Sequence, residues 1–269
     1  MMLFLRSLLF NVAFYLGTAA MMIAGLPTLA RDRHAVFRLA RLWGRYNVWL
    51  LRVVCGTRVE YRGLENIPTG GYIIAPKHQS VLETFALVQF PPDFSYILKQ
   101  DLMRIPLFGW YLSGAEQIAI DRAQGGSALA QVVAKSRALL AQGRQVFIFP
   151  EGTRRPVGAE PRYKFGVAQI YAETGAPCLP VALNSGLFWP RRSFLRRPGV
   201  ILVQFLEPIQ PGLERGAFFA LLQSRLEEAT NALVAESIAA DPSLRSAIHA
   251  ETKTGEEPLR TRVDHDISS

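Results

Sequence analysis

A histidine and a carboxylate follow one another where an apolar run of the chain ends. The run closes at Pro76, His78 comes two residues later, and Glu83 comes five residues after the histidine. On an ideal helix, positions five apart are separated by roughly 140° and would not meet. The pair can meet if His78 lies at a strand–helix turn and Glu83 in the first turn of the helix. Glu83 would then accept a hydrogen bond from one ring nitrogen, leaving the other basic toward a substrate hydroxyl.

Such a pair supplies two members of a catalytic triad, with the nucleophile provided by the substrate. A histidine near a glutamate more often has a structural role, so the pattern needs support from elsewhere in the chain. A hydrolase with Ser80 as nucleophile is the rival interpretation. The sequence has no Gly-x-Ser-x-Gly elbow around that serine and indicates no neighbour that would activate it.

A second apolar run ends in the polar sequence Phe149-Pro-Glu-Gly-Thr-Arg. Gly152 permits close backbone approach, while Thr153 and Arg154 offer a hydroxyl and a planar guanidinium that match phosphate oxygens. A third run ends at Asp121 and Arg122, which adds another guanidinium. Because ligand sites of open α/β sheets gather at the carboxyl ends of strands, these turns are expected to face one cleft. Taken singly, each arginine could equally be an ordinary surface charge.

The segments that must position these residues alternate between β-rich runs and helical patterns after Gly56. This alternation predicts an α/β domain over residues 57–240, with a mainly parallel sheet flanked by helices. The clearest helices are 127–142, which opens with a capping serine and closes at Gly143, and an amphipathic helix at about 217–238. The predicted strands are Val59–Arg62, Tyr72–Ala75, Phe94–Leu98, Gln117–Ile120, Val146–Phe149, Leu179–Leu183 and Val200–Phe205.

The first 56 residues are predicted to anchor the chain in a membrane. Residues 7–30 form an uncharged run of 24 residues, and a helix of that length would cover a hydrocarbon core of roughly 30 Å. A cleaved signal peptide fits less well, because the run is too long and lacks a small-x-small cleavage site. The sequence leaves open whether this N-terminal segment crosses the bilayer fully or re-enters on the same side.

Residues 35–54 form a second helical pattern of a different kind, with four arginines on one face. This helix is predicted to lie in the membrane interface, with its arginines on anionic phospholipid head groups. The alternative is a helix packed on the catalytic domain with a solvated arginine face. The arginines are Arg38, Arg41, Arg45 and Arg52, and the apolar residues assigned to the opposite face are Phe37, Leu39, Trp43, Val48, Trp49, Leu50 and Val53.

Most of the positive charge lies in this N-terminal region. The first 60 residues hold eight arginines and two acidic residues, a net of +6 out of the chain's formal +8. The positive-inside bias therefore predicts the inner (cytoplasmic) membrane, with the catalytic domain facing the cytoplasm. Nucleic acid is not expected as a partner, because no basic patch accompanies a recognised nucleic-acid fold.

The cysteines and histidines show neither disulfide nor metal-binding spacing. Cys55 and Cys178 are isolated in apolar surroundings, which suits a reducing compartment. The four histidines form no ligand cluster, so no metal is expected. Beyond Asp241 the sequence becomes polar and charged, and residues 241–269 are predicted to form a loose tail.

Together these motifs resemble the glycerolipid acyltransferase family, in particular its 1-acylglycerol-3-phosphate (lysophosphatidic acid) acyltransferases. The resemblance covers residues 57–210 and includes four blocks in the family's order. Glu83 departs from the aspartate usual in the first block, and its extra methylene adds roughly 1.5 Å of reach. The four blocks are His78–Glu83, Gly114–Arg122, Phe149–Arg154 and Leu179–Asn184.

The resemblance implies a mechanism and a set of binding residues. His78 is implied as the general base for the sn-2 hydroxyl, and Glu83 as the residue that orients it. The alkoxide would attack the thioester of acyl-CoA or acyl-carrier protein directly and give phosphatidic acid. No cofactor is implied beyond this acyl donor. The implied acceptor-binding residues are Lys99, Arg122, Glu151, Gly152, Thr153, Arg154 and Lys164.

Two other functions stay open at this stage. The acceptor could be another lyso-lipid, such as a lyso-ornithine lipid, instead of lysophosphatidic acid. The chain could also be a non-catalytic membrane-binding homologue, although the retention of His78 and of the 151–154 block argues against that interpretation. The sequence does not distinguish CoA from carrier protein as the acyl donor.

Overall fold

A computed structural model describes residues 1–121 and 125–252 of the chain. Within these residues seven strands form one sheet in the order β1-β7-β6-β2-β5-β3-β4, parallel throughout except for the β6–β7 pair. Strands β2 and β6 are buried along their whole length, as expected for strands covered on both faces. The strands are β1 Thr57–Arg62, β2 Ile73–Pro76, β3 Phe94–Lys99, β4 Ile118–Ile120, β5 Gln145–Phe147, β6 Cys178–Leu183 and β7 Gly199–Phe205.

Helices cover both faces of this sheet. They are α1 Met2–Ala24, α2 Arg33–Leu50, α3 Glu83–Ala86, α4 Phe108–Gly114, α5 Gly125–Ala141, α6 Gly166–Thr174, α7 Arg215–Ala240 and α8 Arg245–Thr252. Ile74 of β2 belongs to a core with residues of α1, α2 and α3, whereas Ile73 and Ala75 belong to a second core with residues of α5, α6 and α7. The division follows from the two-residue period of a strand, which sends successive side chains to opposite faces.

The predicted fold class is confirmed, and each of the seven predicted strands is present within two residues of its predicted ends. Helix α5 differs at its start. It begins at Gly125, so Ser127 is its third residue and not its cap. Two glycines have therefore taken helical geometry despite their low helix propensity. The helix ends before Gly143, whose φ of +78° is the left-handed conformation expected after a helix.

Helix α1 packs along the catalytic domain. Phe10 is fully buried, and Ser7 Oγ accepts the backbone N–H of Arg196 at 2.9 Å. Further along the helix, Thr18 Oγ1 accepts the indole N–H of Trp43 at 2.9 Å. Among the described residues, α1 is the one helix long and apolar enough to cross a membrane. Its other side is exposed and apolar, with Phe4, Leu5, Leu8, Leu9, Val12, Tyr15, Leu16 and Ile23.

Helix α2 also packs on the domain, and a π turn at Leu51–Cys55 extends it. Arg41 is half-buried, and its Nη2 donates to the carbonyls of Pro91 and Pro92 at 2.8 and 2.6 Å. Its guanidinium is therefore engaged within the protein. The other three predicted arginines are exposed: Arg38, Arg45 and Arg52.

The assignment of all the apolar residues of this helix to the opposite face is wrong for two of them. Trp49 and Val53 are exposed on the same side as the arginines, as is Leu42. The reason is helical geometry, because Trp49 is eleven positions after Arg38, which corresponds to about three full turns. The exposed face thus interleaves guanidinium groups with apolar side chains.

The prediction of a loose tail from residue 241 onward is wrong for its first part. Pro242–Leu244 form a 3₁₀ turn, and α8 follows directly. Leu244 and Ala247 are 3% and 6% exposed and belong to the core beside α3. They are three positions apart, so one helical face can bury both. Residues 253–269 of the predicted tail lie outside the described residues.

Candidate active site

Strand β2 leads into the turn that carries His78, and two buried carboxylates hold the backbone of this turn. The N–H of His78 donates to Glu151 Oε2 at 3.0 Å. The next two N–H groups, of Gln79 and Ser80, both donate to Glu83 Oε1, at 2.6 and 2.8 Å. Because charge-assisted hydrogen bonds are roughly twice as strong as neutral ones, three consecutive N–H groups are firmly fixed.

The same turn brings the predicted pair together. His78 Nδ1 lies 3.8 Å from Glu83 Oε1, which is longer than a hydrogen bond. Among the described residues neither His78 Nδ1 nor Glu83 Oε2 has a hydrogen-bond partner, although both atoms are buried. The imidazole stacks on the ring of Phe149 with centroids 3.9 Å apart, and 13% of the His78 side chain is exposed. A small movement of either side chain would bring His78 Nδ1 within hydrogen-bonding distance of the Glu83 carboxylate.

Two residues beside Glu83 carry no obvious sequence signal. Ser185 follows the carboxyl end of β6, and its Oγ donates to Glu83 Oε1 at 3.2 Å. Tyr96 of β3 is half-buried and stacks against Phe149, with ring centroids 6.1 Å apart. Burial, with a smaller contribution from the charge of Glu83, raises the pKa of Tyr96 well above its usual value. The position of Ser185 at a strand end was the one signal that could have identified it.

Ser80, the nucleophile of the rival hydrolase interpretation, is fully buried. Its Oγ accepts the N–H of Leu82 at 3.3 Å, as a residue at the start of a helical segment does. A nucleophile must reach its substrate, and this hydroxyl is directed into the turn. The geometry therefore favours a structural role for Ser80.

The turn after β5 meets the histidine turn directly. Gly152 adopts a φ of +66°, and its N–H donates to the carbonyl of Phe149 at 2.9 Å. The N–H of Arg155 donates to the carbonyl of His78 at 2.8 Å. Thr153 is exposed and Arg154 is half-buried. This turn therefore places a hydroxyl and a guanidinium next to the segment that holds the candidate base.

Glu151 differs from the other residues of this turn because it is buried, at 2% exposure. Its Oε1 accepts from Lys77 Nζ at 2.9 Å, while its Oε2 accepts from the His78 N–H. Burial raises the pKa of Glu151, and the charge and hydrogen bond of Lys77 act in the opposite direction. Both carboxylate oxygens are thus engaged within the protein. Sequence reasoning missed Lys77 altogether.

Comparisons with known proteins identify the family to which the chain belongs. Residues 58–184 match the acyltransferase family. A 1-acyl-sn-glycerol-3-phosphate acyltransferase of Pseudomonas aeruginosa is 44% identical over 192 residues, covering 71% of this chain and 73% of that protein. The chain belongs to the acyltransferase family.

More distant relatives extend the likeness to the whole fold. A 1-acyl-sn-glycerol-3-phosphate acyltransferase alpha of Mus musculus is 29% identical over 210 residues, or 74% of this chain and 71% of that protein. The crystal structure of the lysophosphatidic acid acyltransferase PlsC from Thermotoga maritima superposes with a TM-score of 0.66 at 26% identity. The superposition covers 83% of this chain and 97% of the Thermotoga maritima chain. The structural match therefore includes much more than the sheet edge.

Of the remaining implied residues, Lys99 and Lys164 lie near the same edge of the sheet. Lys99 ends β3 and is exposed. Lys164 is exposed, and its N–H donates to the carbonyl of Pro150 at 2.7 Å. Arg122 lies outside the described residues, one position beyond Asp121. A cavity of about 220 Å³ lies at the ends of β3 and β4, lined by Gln100, Ala119, Ile120, Asp121, Ala128, Gln131 and Lys135.

Proposed function

We propose that this acyltransferase esterifies the sn-2 hydroxyl of 1-acylglycerol-3-phosphate with a fatty acyl group from a thioester donor, giving phosphatidic acid. The observation that carries the proposal is the turn after β2, in which the buried edge of the His78 ring faces Glu83 at 3.8 Å. The names of the relatives described above support the same acceptor.

In the proposed mechanism His78 removes the proton of the sn-2 hydroxyl, using the ring nitrogen that does not face Glu83. Glu83 orients the imidazole and stabilises its positive charge once the proton has moved. A hydrogen bond of this kind is often long in the free enzyme and shortens in the substrate complex, which fits the 3.8 Å separation.

The alkoxide then attacks the thioester carbonyl of the donor, either acyl-CoA or an acyl-carrier protein. A carbon–oxygen bond forms, and the carbon–sulfur bond breaks when the tetrahedral intermediate collapses. His78 returns its proton to the departing thiolate, so the enzyme ends the cycle unchanged. The chemistry requires neither an acyl-enzyme nor a cofactor beyond the donor.

For the acceptor we propose a phosphate clamp at the carboxyl ends of the strands. Arg154 and Arg122 would supply guanidinium groups, and Thr153 a hydroxyl, with Gly152 allowing close backbone approach. Lys164 and Lys99, both exposed near this edge, would add positive charge. A lyso-ornithine lipid lacks the phosphate monoester and could not use this clamp in the same way.

We propose that α1 lies in one leaflet, with its exposed apolar side toward the acyl chains. Its contacts with the domain run from Ser7, which meets Arg196, to Met22, whose carbonyl accepts the hydroxyl of Tyr111. Fifteen residues of helix measure roughly 22 Å. A helix flanked by the domain over that length would pull the domain into the hydrocarbon if it crossed the bilayer.

The exposed arginines of α2 and its extension would then lie at anionic head groups, with the exposed apolar residues between them at the acyl boundary. Since these arginines follow α1 closely in the chain, the positive-inside bias favours the cytoplasmic leaflet of the inner membrane. A lysophospholipid acceptor would then reach His78 from the same leaflet.

The test is an acceptor and donor panel with the purified full-length protein in mixed micelles. Lysophosphatidic acid, lysophosphatidylethanolamine and lyso-ornithine lipid are offered in parallel, each with acyl-CoA and with acyl-carrier protein. Mass spectrometry then identifies the lipid product. We expect phosphatidic acid as the dominant product. Preferred acylation of lyso-ornithine lipid, or no acyl transfer with either donor, would contradict the proposal.

A further inference from the structure

The residue directly before the candidate base is a buried lysine between two glutamates. Lys77 is 4% exposed. Its Nζ contacts Glu151 Oε1 at 2.9 Å and also contacts Glu227 Oε1, which comes from α7 on the far side of the turn. Burying a charge is unfavourable unless it is paired, so the ion pairs of this lysine must offset a free-energy cost of desolvation.

The second glutamate has a further partner. The hydroxyl of Tyr163 donates to Glu227 Oε1 at 2.8 Å, and Lys77 Nζ lies 5.3 Å from the centroid of the same tyrosine ring. Burial, together with the negative charge of Glu227, raises the pKa of Tyr163 far above its usual value, so the tyrosine remains a donor. Glu227 is therefore held in place to face the lysine.

The network ends on the backbone of the histidine. Glu151 accepts the lysine ammonium on one oxygen and the N–H of His78 on the other. The orientation of this one carboxylate thus depends on Lys77, while the position of the His78 peptide depends on the carboxylate. A displacement of the Glu227 side chain would therefore move Lys77 and, through Glu151, the peptide of His78.

This arrangement argues against direct contact between Glu151 and the acceptor. Its two oxygens are occupied, it is almost fully buried, and its negative charge would repel a phosphate. Lys77 is equally unsuited to bind phosphate, because its ammonium already meets two carboxylates.

We propose that Lys77, Glu151 and Glu227 act as positioning residues, forming a buried network that fixes the His78 peptide so that the base meets the acceptor hydroxyl. The proposal rests on the acyl transfer assigned to His78 above. Geometric precision matters at this point, because a displacement of about 1 Å can lower a rate roughly 100-fold.

The test compares Glu227→Gln with Glu228→Gln by steady-state kinetics. Glu228 is the next residue of α7 and is exposed, so it is a matched control for the charge change. We expect kcat to fall roughly 3- to 10-fold in Glu227→Gln while KM for acceptor and donor stays within about twofold. The Glu228→Gln enzyme should match wild type. Rates are taken per folded molecule, from near-ultraviolet circular dichroism at a temperature well below unfolding.

Lys77→Met and Glu151→Gln extend the series, with an expected loss of roughly 10- to 100-fold in kcat and the same unchanged KM values. A Glu151→Gln enzyme whose acceptor KM rises while kcat is unchanged would return Glu151 to acceptor binding. A folded Glu227→Gln enzyme with wild-type kcat would overturn the network. If wild type itself prefers another acceptor, the proposed function fails separately, and the same comparison is made with that acceptor.

Discussion

The turn that holds His78 and the outer side of helices α1 and α2 use their polar groups in opposite ways. In the turn, three consecutive backbone N–H groups meet two buried carboxylates, and the lysine beside the histidine is held between two glutamates. On the helices, arginines and apolar side chains alternate on an exposed face. The comparison indicates that contacts inside the protein organise the His78 turn, whereas the proposed contacts with lipid would be made by groups exposed at the surface.

The largest effect is expected at the base itself. Because no other residue replaces a proton acceptor at this position, His78→Ala should lower kcat by roughly 10²- to 10⁴-fold, the usual contribution of general acid–base catalysis. The variant should stay folded and sediment with membranes as wild type does. Steady-state acyl transfer measures the loss, and wild-type turnover in His78→Ala would remove this histidine from the mechanism.

Arg154 lies between the two regions, since it follows the buried turn and is proposed to bind the phosphate of the acceptor. Arg154→Lys keeps the charge but loses the planar, two-pronged donor geometry. A charge-assisted hydrogen bond contributes about 1.5–3 kcal/mol, so kcat/KM for lysophosphatidic acid should fall roughly 10- to 100-fold, mainly through KM. The donor KM should barely change. A rise in donor KM alone would assign this arginine to the acyl carrier.

The contacts that hold α1 to the domain are expected to contribute to stability more than to catalysis. Asn11 joins this helix to the domain, donating to the carbonyl of Phe194 at 3.1 Å and accepting from Arg196 Nη2 at 2.9 Å. Burial lowers the pKa of Arg196 to about 10, so the guanidinium stays charged at neutral pH and its hydrogen bond to Asn11 is charge-assisted. Asn11→Ala should cost about 1–2 kcal/mol in the free energy of unfolding.

Thermal unfolding in detergent measures this cost, and the exposed Asn231→Ala on α7 is the matched control. The kcat of the Asn11→Ala enzyme should remain near that of wild type at low temperature. Equal unfolding temperatures for the two variants would mean that the α1 contacts do not hold the helix to the domain.

The smallest effect is expected on the exposed helix face. A basic residue near an anionic surface contributes about 1 kcal/mol, so Arg45→Gln should weaken binding to anionic vesicles roughly fivefold. Arg41→Gln is the comparison, because its guanidinium is already engaged by the Pro91 and Pro92 carbonyls. Vesicle flotation at two salt concentrations separates the two variants, and identical binding by both would contradict a lipid-facing role for Arg45.

Most of the fold could be predicted because each strand is a short apolar run with a recognisable end. Pro76 and Pro150 follow two such runs, and the polar residues beyond them mark the carboxyl edge of a parallel sheet. The spacing of His78 and Glu83 also required a strand–helix turn, and the structure has one there. These are local signals, read within about a dozen residues.

The missed features depend on contacts between distant parts of the chain. Lys77 and Glu227 are 150 positions apart, and no periodicity links them. Glu151 stood in a motif whose resemblance implied acceptor binding, and its burial could not be read from the motif. The exposure of Trp49 differs in kind, because its three-turn relation to Arg38 is local and can be derived from the sequence by helical geometry alone.

His78 and Glu83 are proposed to act as one unit, and a double-mutant cycle in kcat measures the coupling between them. Glu83→Gln keeps a carbonyl oxygen for the Gln79 and Ser80 N–H groups but removes the charge. If the carboxylate works through the histidine, the double variant His78→Ala/Glu83→Gln should be no slower than His78→Ala alone, within about twofold. Losses that multiply in the double variant would show that the two residues act independently and would contradict the account.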